Sequence, residues 1–123
     1  MGMFDVGLAV GNPADGKFAD ITAIVDTGAV FSVMPSSLLT KLGIPAVEEQ
    51  QFRLANGVTQ TYKLGEARFR IKGRERTTPV AFGEENVCLL GAVSLQAFGL
   101  IADTTNHELI PAPVLHLIGM QSN

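Results

Sequence analysis

Asp26 is the residue whose type and surroundings most invite chemistry. It follows directly on the apolar run Ile21-Thr22-Ala23-Ile24-Val25 and precedes Thr27 and Gly28. A carboxylate at the end of a buried strand must be hydrogen-bonded, paired with another charge or protonated. Thr27 offers a hydroxyl beside it, and Gly28 lets the backbone turn sharply so that an amide approaches the carboxylate. Such a carboxyl group is a candidate for acid–base work. The tripeptide alone fits equally well an Asp that caps its own turn.

A second segment has the same plan. Cys88-Leu89-Leu90-Gly91-Ala92 reads as a buried strand ending in glycine, and the pattern predicts a short helix over 93–98, closed by Gly99. Between the two segments, stretches 51–54 and 59–64 flank Ala55-Asn56-Gly57-Val58. Asn-Gly between alternating stretches signals a β-hairpin.

The elements that must position these residues are short and β-rich. Val6, Leu8 and Val10 alternate with Gly7 and Ala9, and a Gly/Asn/Pro/Asp turn over 11–16 leads into a strand with Ile21, Ala23 and Val25 on one face. Residues 35–43 predict a short helix with a serine N-cap, a stripe of Leu38, Leu39 and Leu42, and Gly43 just past its end. From Gly65, Ala67, Phe69 and Ile71 alternate with Glu66, Arg68, Arg70 and Lys72, a strand with one buried and one wet face. Further strands are expected at 78–82, 87–90, 100–102 and 109–118. The count is eight or nine strands with two short helices, an all-β chain forming a small closed or partly closed barrel.

Composition narrows the function classes. At 123 residues the chain fits a single domain, expected to span 1–123, and 46% hydrophobic residues suffice for one core. The net charge of −3 gives no global reason to expect a nucleic-acid partner. Six of the nine basic residues fall between Lys63 and Arg76, but four of them alternate along one strand face with Glu66 and Glu75 nearby, as on a solvated hairpin face. A single cysteine, Cys88, excludes an internal disulfide and reads as a small buried hydrophobe. With two histidines, His107 and His116, no zinc-ligand spacing exists, and no G-x-S-x-G elbow is present. No apolar run approaches the roughly 20 residues of a membrane helix. The expectation is a soluble, cytoplasmic protein with no membrane partner, no metal and no cofactor.

Val25-Asp26-Thr27-Gly28-Ala29 with Ser32, then the hairpin, then Leu89-Leu90-Gly91, in that order, resemble the retropepsin-like aspartic proteases. The stretch from Leu90 to Leu100 is similar to the region after the second glycine in short bacterial members. The resemblance runs from Ile21 to about Pro113 and implies a single-lobe acid-protease barrel that pairs as a twofold homodimer. Asp26 would be the catalytic carboxylate. Thr27 would hydrogen-bond across the dimer axis, and Gly28 would set a carbonyl and an amide beside the dyad. Ala29, Ser32 and Gly91 would support these from behind. Leu54, Ala55, Asn56, Gly57 and Val58 would form a flap tip closing over a peptide. Ile24, Val30, Val33, Val87 and Leu89, with Ala29, would line apolar side-chain pockets.

The chemistry of that family needs two carboxylates, one ionised and one protonated. This chain carries one such motif, so the second Asp26 would come from a twofold partner. The implied activity is that of a homodimeric aspartic endopeptidase acting on a peptide or protein. The alternative is a module on the same fold that grips extended peptides without cutting them. The terminal strands, near 3–10 and 109–118, would contribute a shared interface sheet. Two departures stand out: Ala92 replaces the basic residue usual in retroviral members, and the flap tip has only Gly57.

Overall fold

The alternation that begins near Gly65 belongs to the longest strand, β5 (Thr59–Ile71), in the computed structural model, which describes residues 3–113. Before it come β1 (Asp5–Gly11), β2 (Phe18–Val25), β3 (Ser32–Pro35), α1 (Ser36–Lys41) and β4 (Glu48–Arg53). After it come β6 (Arg74–Gly83), β7 (Leu89–Leu90), α2 (Ala92–Phe98), β8 (Leu100–Asp103) and β9 (Glu108–Pro111). Seven strands make one sheet in the order β1-β2-β7-β3-β6-β5-β4, and β8 pairs with β9 separately.

An extra pairing of β1 with β5 bends the large sheet into a ring and leaves β4 outside it. That seam consists of Ala9 opposite Arg70, Val10 opposite Phe69 and Gly11 opposite Arg68. The expected barrel is therefore partly closed. Inside lie Val10, Val25, Met34, Phe69, Ile71, Val80, Leu90, Phe98 and Leu109, all essentially inaccessible. Ala67, Phe69 and Ile71 face inward while Glu66 and Arg70 stay exposed, as the alternation predicted.

Three local expectations are corrected. No serine caps α1: Pro35 holds the N-cap position, the Ser36 hydroxyl donates to the Gly83 carbonyl at 3.0 Å, and the Ser37 amide donates to a Glu85 carboxylate oxygen at 3.3 Å. The strand expected over 87–90 shrinks to Leu89–Leu90, because Val87 closes a turn by donating to the Glu84 carbonyl. The terminal strand expected over 109–118 is Glu108–Pro111 where the structure describes it, and 114–118, like His116, lie outside the described residues. The Asn56-Gly57 hairpin forms as expected between β4 and β5. Only Gly57 has positive φ (84°), the Gly57 amide donates to the Leu54 carbonyl, and Leu54 pairs with Val58, so the loop holds three residues. A two-residue turn with both φ positive, Lys72-Gly73, folds β5 onto β6.

Candidate active site

Asp26 sits where three strands converge. β7 inserts between β2 and β3, parallel to β2 through Ile24–Leu89 and Val25–Leu90, and antiparallel to β3 through Val33–Leu89. Val25 is buried in the core, and its amide donates to the Phe4 carbonyl at 2.9 Å. One residue on, the Asp26 amide donates to the Leu90 carbonyl at 3.0 Å. The Asp26 backbone is thus fixed by the strand that carries the second motif.

The side chain is half-buried, and its Oδ1 accepts the Gly28 amide at 3.0 Å. The Ala29 amide donates to the Asp26 carbonyl at 3.1 Å and closes the turn. Asp26 therefore does cap its own turn, and the same bonds hold its carboxylate at the edge of the ring. Thr27 and Gly28 are exposed beside it.

The loop after Gly28 is strapped to α2. The Ala29 and Val30 carbonyls accept the amides of Ala92 (2.8 Å) and Val93 (3.0 Å), two of the donors that a helix start leaves unpaired. Gly91 stands where the straps cross. A Cβ there would lie 2.6 Å from the Phe31 carbonyl group and 2.9 Å from the Ala29 oxygen, so only glycine fits. The Gly91 amide donates to Ser32 Oγ at 3.0 Å. Behind it, the Ser32, Ser94 and Thr78 hydroxyls form a buried chain with both links at 2.7 Å. No buried side-chain polar atom among the described residues lacks a partner.

A family model described as aspartyl protease matches residues 13–93. The chain belongs to the aspartyl protease family. No curated protein matches it. Among solved structures it is similar to the EIAV protease complexed with the inhibitor HBY-793, at 21% identity and a TM-score of 0.54, over 77% of this chain and 86% of that one. It is also similar to the simian foamy virus (mac) protease, known from a solution structure, at 15% identity and a TM-score of 0.53, over 76% and 94% of the two chains. At these identities the likeness is one of fold: the ring of strands with two short helices is that of the retroviral proteases.

Within this aspartyl protease fold the residues expected to line pockets divide into groups. Ile24, Leu89 and Val33 are brought together: they are register partners across β2, β7 and β3, so they share one face of the sheet. Their chain neighbours Val25, Leu90 and Met34 point into the core, which puts the trio on the outer side. Ile24 is 39% exposed, and Val30, in the Asp26 loop, is 55% exposed. At the hairpin tip Leu54 is half-buried, while Ala55, Asn56, Gly57 and Val58 are exposed. Val87 precedes β7 and closes the turn that follows β6, its amide donating to the Glu84 carbonyl. Ser94 and Thr78 were not singled out from the sequence. The signal was present, a hydroxyl residue at an inward position of α2 beside Leu95 and Phe98 and another in step with Val80 on β6.

Two surface depressions, of about 570 and 680 Å³, lie elsewhere, the first against β1 and the Lys72-Gly73 turn and the second beside α1 and Tyr62. Asp26 lines neither. Among the described residues no cluster of three His, Cys, Asp or Glu could hold a metal ion, and no helix is long and apolar enough to cross a membrane.

Proposed function

We propose that the chain is one subunit of a homodimeric aspartic endopeptidase whose two Asp26 carboxylates activate a water between them. The observation that carries this reading is the Asp26 loop itself. Its backbone amide is anchored on the Leu90 carbonyl, and its half-buried carboxylate accepts the Gly28 amide. A second copy related by a twofold axis supplies the other carboxylate. Two such groups about 3 Å apart share one proton and titrate as a pair. The ionised member takes a proton from water, and the protonated member hydrogen-bonds the scissile carbonyl. Thr27 bridges the two loops, and Ile24, Leu89, Val33 and Val30 receive apolar side chains of an extended peptide under the hairpin tip.

The test is cleavage of a peptide library from pH 4 to 7 by the wild type and by Asp26→Asn, with sedimentation to give the mass. The wild type is expected to cleave and to sediment at twice the chain mass, and Asp26→Asn to retain the dimer without turnover. Cleavage that persists unchanged in Asp26→Asn refutes the reading. Binding of peptides without turnover at any pH would favour the non-catalytic module.

A further inference from the structure

β4 is tethered to the molecule by very little. It lies outside the ring, pairs only with β5, and every one of its residues is exposed except Phe52. A two-stranded hairpin is marginal without packing against something else. What this hairpin packs against is therefore decided largely by Phe52.

Phe52 lies between two aromatic rings. Its ring meets Phe31 edge-on, with centroids 5.8 Å apart and planes at 81°. On its other side it meets Tyr62 of β5 at 6.0 Å and 65°. Both are the edge-to-face geometry that the ring quadrupoles favour. Phe52 pairs with Gln60 and Tyr62 with Gln50, so Phe52 and Tyr62 are diagonal neighbours on one face of the hairpin, within reach of aromatic side chains. Leu64, buried, continues that face and is in register through Ala81 with Val33 and Leu89 on the outer side of the ring. A row of side chains thus runs along one face of the hairpin and ends on Phe31.

Phe31 belongs to the Asp26 loop. It lies between Val30, whose carbonyl holds α2, and the buried Ser32, and its own carbonyl group packs against Gly91. The contact therefore joins the hairpin to the most firmly held part of the site.

We infer that Phe52, gripped between Phe31 and Tyr62, is a positioning residue that sets the stance of the hairpin over Asp26 and thereby the affinity for an extended peptide. This rests on the peptidase reading above for its link to turnover. Without the ring the hairpin is free to swing, and an incoming peptide must bear the entropy of ordering it. The anchors of Asp26 are untouched, so the chemical step is spared.

The experiment compares wild type, Phe52→Ala, Phe52→Tyr and Phe31→Ala in steady-state cleavage and in amide exchange at the tip, where Leu54, Gly57 and Val58 donate hydrogen bonds. Losing two edge-to-face contacts is expected to raise KM roughly tenfold and leave kcat within about twofold. Tip exchange accelerates in Phe52→Ala, and Phe52→Tyr restores both readouts. The double variant Phe31→Ala/Phe52→Ala is no worse than Phe52→Ala alone, because Phe52→Ala already removes the contact with Phe31, whereas Phe31→Ala alone keeps the Phe52–Tyr62 contact and costs less. Phe52→Ala with wild-type KM and wild-type tip exchange overturns the inference, as does a loss confined to kcat. Exchange needs no turnover, so if no peptide is cleaved by any form, the peptidase reading fails while the exchange data still decide whether Phe52 holds the hairpin.

Discussion

Gly91→Ala tests the strapping of the Asp26 loop to α2 more directly than any change at Asp26. Gly91 has φ −96° and ψ 178°, an extended conformation open to any residue. Backbone preference therefore contributes nothing, and the whole effect comes from space. The added Cβ would sit 2.6 Å from the Phe31 carbonyl carbon and oxygen and 2.9 Å from the Ala29 oxygen, where ordinary contact begins at 3.4 Å. All of these are backbone atoms, so no side chain can swing aside. The loop must retreat from α2 by about 0.8 Å, an overpacking strain of about 1–3 kcal/mol. The retreat stretches the Ala92–Ala29 and Val93–Val30 bonds, now 2.8 and 3.0 Å. Weakening them adds about 1 kcal/mol.

The sum is about 2–4 kcal/mol, a large share of the roughly 5–15 kcal/mol that holds a domain together. For a chain of this size it lowers Tm by about 8–15 °C. Urea unfolding measures the free energy, and a thermal melt followed by circular dichroism measures the shift. Gly7→Ala is the control: Gly7 lies in β1, and a Cβ there meets nothing within 4 Å, so its Tm should stay within about 2 °C. If Gly91→Ala melts within about 2 °C of wild type, the two segments are not locked together at this crossing and the account of the site's rigidity fails.

Three further outcomes follow from the same geometry. Ser94→Ala removes the middle of the Ser32–Ser94–Thr78 chain and leaves two buried hydroxyls short of a partner, so urea unfolding should show a loss of about 1–3 kcal/mol, whereas Thr78→Ser, which keeps the hydroxyl, should cost less. Hydrogen bonds from Arg70 and Arg68 hold the Glu75 carboxyl below its usual range, and a carboxyl depressed in the folded state stabilises above its unfolded pKa and ceases to as pH falls through the folded one. The Tm difference between wild type and Glu75→Gln should accordingly be small at neutral pH, shrink further in acid and vanish in high salt. Burial pushes the Cys88 thiol up, so at mildly alkaline pH iodoacetamide should modify native protein at least roughly tenfold more slowly than urea-unfolded protein, and equal rates would contradict the packing around β7.

Much of the fold is legible in the chain because burial on one face imposes a period. β5 shows it best, since Ala67, Phe69 and Ile71 face the core while Glu66 and Arg70 face water. β7 has no period to read: two residues suffice to pair with β2 and β3, and their partners are supplied by distant segments. The start of α1 misled for a related reason. Ser36 and Ser37 look like caps, but Gly83 and Glu85, far along the chain, bind them in other roles. In the candidate site, the Asp26 turn is local and was readable. Phe31 was not, because its neighbour Phe52 sits in another hairpin and nothing in the sequence around either residue records the contact.

The outer row of Ile24, Leu89 and Val33 shows how fold and site can be separated. Each is adjacent to a core residue, Val25, Leu90 or Met34, and a strand places adjacent side chains on opposite faces. The core needs only the inner trio, so polar outer residues would serve the ring equally well and cost less in water. Yet Ile24 is 39% exposed, and Val30, in the adjoining Asp26 loop, 55%. Apolar side chains kept on a face the core does not use, beside a carboxylate at the sheet edge, suit a surface that is covered when the protein works. An extended peptide lying across β2, β7 and β3 would cover that row and bring its backbone to Asp26 in the same step.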